Sequence, residues 1–132
     1  LFDNAMNRYQ SGVPAHEIIE DFEKITAASP NNAAGWTCLA WLQLLCDKND
    51  QALYSARIAV KLNPQDPQSR INLSLALLET KSKGVREHIE FVKRAVLILP
   101  ELDKELRESM EDGMKRKLDW KALIKVRKWL DM

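Results

Sequence analysis

Pro30, Pro64 and Pro100 each close an apolar-periodic segment, at intervals of 34 and 36 residues. Proline pushes the residue before it out of helical geometry, so each of these positions marks a helix end. Units of this length cannot bury their hydrophobic faces alone and stack on neighbours to do so. The period predicts an all-α chain, an α-solenoid of antiparallel helix hairpins in which order along the chain becomes order in space. Only four glycines and five prolines occur, several of the prolines between periodic segments, which suits such a chain.

Residues 33–66 carry the pattern most fully. Large residues recur at helical intervals in Trp36-Thr37-Cys38-Leu39-Ala40-Trp41-Leu42-Gln43. Three small ones, Ala52, Ala56 and Ala59, share one face of a second helix, where two backbones must approach closely. Asp47-Lys48-Asn49-Asp50 supplies a polar turn between them, and Asn63-Pro64-Gln65-Asp66-Pro67 stops the second helix and starts the next. This layout resembles the tetratricopeptide repeat. Trp36, Leu39, Ala52, Ala59 and Pro64 match that family's pattern as they stand; Ala40 replaces its glycine, and Gln43 and Ala56 depart from its aromatic positions. The resemblance implies repeats at about 1–32, 33–66 and 67–102, then a degenerate repeat or capping hairpin over 103–132.

The flanking units fit the same plan. Phe2, Met6 and Tyr9 form the first stripe, Ser11-Gly12-Val13-Pro14 a turn, and Ile18, Ile19, Phe22 and Ile25 the inward face of a helix over roughly 14–28. Asp66 and Pro67 are a predicted N-cap and first helical residue, followed by a leucine-rich helix, the turn Thr80–Gly84 and a helix with Ile89, Val92, Val96 and Ile98. His88 stands where the repeat has a small alanine, which predicts looser packing there. Beyond Pro100, Leu106 and Met110 line one helix and Ala122 takes the small-residue position in another, over about 119–131. Gly113 interrupts the first of these at a cost near 1 kcal/mol.

At 132 residues, 45% hydrophobic and 30% charged, the chain is one ordinary globular domain with a net charge of only +1. Its overall electrostatics favour neither nucleic acid nor membrane. Cys38 and Cys46 are separated by about 12 Å of helical rise, too far to form a disulfide with each other. With no histidine at ligand spacing, they read as buried thiols of the cytoplasm or another reducing compartment. No apolar run is long enough to span a membrane and no signal segment opens the chain, which begins at Leu1 and reads as an excised domain or one whose start was removed. Enzymatic motifs and cofactor signatures are absent, and no small-molecule substrate is expected.

In the resembled family the first helices of successive repeats line a concave groove. Its positions here hold Thr37, Trp41, Leu44 and Leu45, then Ile71, Leu75 and Leu78, with Asn7 upstream. Such an apolar floor marks a binding surface for a partner's peptide or helix, with Trp41 its anchor, unless superhelical stacking or the chain's own C-terminal helix covers it. A clamp for a carboxylate tail is argued against, because its positions hold Asp3, Asn7 and Cys38 and only the asparagine fits. The second candidate is a basic amphipathic helix over 115–128, with Lys115, Arg116, Lys117, Lys121, Lys125 and Lys128. It fits an anionic membrane, nucleic acid or an acidic partner. It equally fits a cap that shields Trp120, Leu123, Trp129 and Leu130 and pairs with the acidic run from Glu101 to Asp112.

Overall fold

The computed structural model describes residues 1–132 and contains helices alone. These are α1 (Phe2–Gln10), α2 (Ala15–Ala28), α3 (Ala33–Leu45), α4 (Asn49–Leu62), α5 (Pro67–Glu79), α6 (Val85–Ile98), α7 (Glu101–Arg116) and α8 (Lys121–Leu130). Helices α2, α4 and α6 stop in one way. Ser29, Asn63 and Leu99, each followed by proline, take φ/ψ of −134/72°, −140/83° and −124/84°, outside the helical region.

Helices α1, α3 and α5 end in a second recurring way. Gly12, Asp47 and Lys81 adopt left-handed φ of +96°, +58° and +55°. The next amide then donates back into the helix: Val13 to the Arg8 carbonyl at 3.1 Å, Lys48 to Gln43 and Ser82 to Leu77, each at 2.8 Å. This is the Schellman arrangement, which satisfies carbonyls that a helix end leaves free. The starts of α3 and α5 are capped by side chains: Asn32 accepts from the Gly35 amide at 3.4 Å and Asp66 from Gln68 at 3.2 Å, with Pro67 at the first turn of α5. Two different residues also perform one task. Trp36 donates its indole N–H to the Pro30 carbonyl at 2.8 Å, and Arg70 donates to the Pro64 carbonyl at 2.9–3.0 Å.

Each helix from α1 to α6 packs on its successor, and α3 also meets α5. Ala52, Ala56 and Ala59 have no exposed surface, so α4 lies close against its neighbours through a face of methyl groups. Gln43, where the resembled repeat has an aromatic, is buried and accepts from the Ser55 hydroxyl at 2.7 Å. A polar bridge between α3 and α4 replaces the ring. His88 does not loosen its surroundings: the imidazole is buried, its Nδ1 accepts from Arg70 at 3.1 Å, and burial lowers its pKa.

The C-terminal segment turns back on the rest. Helix α8 lies on α5 and α6, burying Trp120, Ala122, Leu123, Val126 and Leu130 in one cluster with Ile71, Leu75, Ile89 and Val92. Trp129 departs from the shielded set, being 41% exposed. The basic stretch 115–128 is not one helix: α7 ends at Arg116, Lys117 is extended at φ/ψ −134/92°, and Asp119 is left-handed at φ +57°. The break lets the chain reverse so that Trp120 enters the core.

Candidate functional site

The apolar floor drawn from the sequence is largely under cover. Leu44, Ile71 and Leu75 have no exposed surface, Trp41 and Thr37 are buried, and Leu45 and Leu78 are half-buried. Asn7 alone of that set is exposed on α1. The covering atoms come from α7 and α8: Leu106, Met110, Trp120 and Leu123 pack into the same cluster as Trp41, Leu44, Ile71 and Leu75. Of the two outcomes open at the sequence level, coverage by the chain's own C-terminal segment is the one this floor shows.

Gly113 explains how α7 fits. A Cβ at this position would stand 2.8 and 2.9 Å from Cη2 and Cζ2 of Trp41, and 3.1 Å from Cδ2 of Leu123. Only a residue without a side chain lets the indole lie against the helix backbone. The Trp41 indole N–H donates to the Tyr9 hydroxyl at 2.8 Å, and that hydroxyl in turn donates to the Asp112 carboxylate. Burial, together with the Asp112 bond, pushes the Tyr9 phenol pKa up, so it stays a neutral donor.

Arg116 fastens the same corner. It pairs with Asp112 at 3.0 Å, donates to the carbonyls of Tyr9 at 2.6 Å and Val13 at 3.0 Å, and stacks its guanidinium 3.8 Å above the Tyr9 ring. Lys117 donates to the Leu44 carbonyl at 3.1 Å and to Asp47 at 2.5 Å, neutralising the C-terminal end of α3. It also reaches Glu79 at 3.4 Å, which accepts from the Trp120 indole at 3.1 Å. Two of the six candidate basic residues are thereby committed inside the molecule. Lys115, Lys121, Lys125 and Lys128 remain exposed and make no ion pair.

A cleft of about 500 Å³ stays open between helices α1, α2, α3 and α5 on one side and α7 on the other. Met6, Tyr9, Phe22, Cys38, Trp41 and Leu42 line its floor, Gln68 and Asn72 of α5 one end, and Glu105, Glu108, Ser109 and Asp112 of α7 the far wall. The four α7 residues fall on one face by helical spacing. Asn72 is fully buried and satisfied, donating to the Thr37 carbonyl at 3.0 Å and accepting from Gln68 at 2.9 Å. Thr37 shares a 2.8 Å hydrogen bond with Ser69, a further tie between α3 and α5. The Cys38 thiol, 3.7 Å from the Met6 sulfur, has its pKa pushed up to about 11 by burial, with the Asp66 charge adding to it. It is apolar lining rather than a nucleophile.

No family model and no curated protein matches this chain. Its chemistry is therefore read from the geometry alone. No set of three His, Cys, Asp or Glu side chains gathers as a metal would require, and no helix is long and apolar enough to cross a membrane. The cleft combines an apolar floor with the amides of Gln68 and Asn72 at one end and carboxylates along one wall. Sequence reasoning placed Trp41, Thr37 and Cys38 near this region. It missed the α7 wall, whose one local signal is Gly113, a glycine where a helix interior asks for a side chain.

Proposed function

We propose that the chain is a non-enzymatic interaction module, a short α-solenoid of tetratricopeptide-like repeats that holds a partner's peptide in the cleft beside α7. The repeat reading is supported by structural recurrence. Left-handed caps fall at Gly12, Asp47 and Lys81, extended stops before Pro30, Pro64 and Pro100, and donors to the Pro30 and Pro64 carbonyls at Trp36 and Arg70. The free thiols of Cys38 and Cys46 fit a reducing compartment. One observation carries the binding role: beside α7 the cleft leaves Met6, Tyr9 and Cys38 half-buried rather than closed over, with α7 carboxylates along its wall.

The test is selection of displayed random dodecapeptides on the intact chain, followed by measurement of each selected peptide on Ser109→Trp. Ser109 is half-buried on the cleft wall, so an indole there fills the space without entering the core. Selected peptides are expected to lose binding to the variant while its circular dichroism is unchanged. Peptides that bind both proteins equally would remove the cleft from consideration.

A narrower second reading rests on α8. Lys121, Lys125 and Lys128 stand unpaired along one face with Ile124, 44% exposed, among them, and Trp129 beside it. That face suits an anionic surface, nucleic acid or membrane, through contacts that weaken steeply with salt.

A further inference from the structure

The charges around the cleft name its occupant. No lysine or arginine lines it, whereas α7 sets Glu105, Glu108 and Asp112 along one wall. Asp112 is already engaged by Tyr9 and Arg116. Glu108 has only Lys104 at 4.0 Å, an exposed pair worth little, and Glu105 has no cation within 4.0 Å. Two carboxylates thus face a cleft whose floor is apolar and whose remaining polar groups, the amides of Gln10, Gln68 and Asn72 and the hydroxyls of Tyr9, Thr37 and Ser109, are uncharged. An anionic segment entering there would meet repulsion with nothing to offset it, while a neutral apolar one would leave both charges partly desolvated.

Resting on the peptide-holding reading, we propose that the cleft selects a cationic apolar segment. Its apolar side chains lie on the half-buried Met6, Tyr9 and Cys38, and its lysine or arginine cations pair with Glu105 and Glu108. The apolar contacts supply affinity and the carboxylates supply discrimination, since exposed pairs add modestly to binding but like charges are excluded. The long, flexible lysine or arginine stem spans from floor to wall, keeping its methylenes on apolar surface and its charge at the rim.

Three fluorescein-labelled hexapeptide pools test this, each with four randomised apolar positions and two fixed positions holding lysine, glutamine or glutamate. Anisotropy titrations are run on the intact chain, on Ser109→Trp and on the double variant Glu105→Lys/Glu108→Lys. The lysine pool is expected to bind the intact chain roughly tenfold more tightly than the glutamate pool, two exposed pairs being exchanged for two repulsions. The double variant is expected to reverse that order, and Ser109→Trp to lose all three pools. Equal affinity for the pools, lost on Ser109→Trp, would overturn the charge selection and leave the cleft as a binding site. Pools unaffected by Ser109→Trp would overturn both.

Discussion

Gly113 shows how far a single residue reaches. By helix propensity alone, Gly113→Ala should stabilise an α7 interior by about 1 kcal/mol. The added Cβ, however, would sit under 3.0 Å from two ring atoms of Trp41, a rigid side chain held in place by its bond to Tyr9 and its 5.6 Å contact with the Trp120 ring. Overpacking of this kind costs about 1–3 kcal/mol, so the steric effect wins. Gly113→Ala is expected to lower the urea midpoint and to shift tryptophan emission. A raised midpoint would mean that α7 does not press on Trp41.

Among elements, the join between α5 and α6 is the one that responds to pH. Arg70 of α5 donates to the imidazole of His88 on α6, which requires that ring nitrogen to be unprotonated; the other nitrogen faces Glu87 at 3.7 Å. Burial lowers the folded-state pKa and outweighs the opposing pull of Glu87, while the positive Arg70 adds a smaller push in the same direction as burial. The unfolded chain then binds a proton, at an ordinary pKa near 6.5, more readily than the folded one. Stability from this residue is fully present above about pH 6.5 and is lost as pH falls from there through the folded pKa. Chemical denaturation between pH 7.5 and 5.5 is expected to show the wild type weakening relative to His88→Gln. A constant difference between the two would refute the linkage.

Across the whole molecule, α7 and α8 complete a core that the first six helices leave open. Trp41, Leu44, Ile71 and Leu75 share their cluster with Leu106, Met110, Trp120 and Leu123. Each large side chain returned to water costs about 1.5–3 kcal/mol, comparable in sum to the net stability of a domain. Removal of residues 101–132 is expected to leave a chain that aggregates or melts far earlier. In the intact protein, Trp120 at 2% exposure is expected to resist acrylamide quenching, while Trp129 at 41% is quenched. A truncated chain with an unchanged melt would show that the C-terminal helices are an appendage.

The features legible in the amino-acid order are those with local causes. Prolines set the ends of α2, α4 and α6, Asp66-Pro67 starts α5, and Ala52, Ala56 and Ala59 fall on one face because helical geometry places them there. Even the left-handed turns at Gly12 and near Asp47 carry their own turn residues, although Lys81 does not. The path of α7 has no such local cause. Leu106, Met110 and Gly113 make an amphipathic stripe that fits a fourth stacked unit as well as a helix laid over Trp41. The choice lay in contacts made by residues far apart in sequence. Tyr9 met Asp112, Arg116 met the Val13 carbonyl, Lys117 met Leu44, and the glycine met Trp41. Those contacts closed the apolar floor, drew Arg116 and Lys117 out of the basic surface and stood Glu105 and Glu108 along a cleft. Period and caps follow from each segment alone, but what covers a hydrophobic face depends on which surface is left unburied when the chain closes.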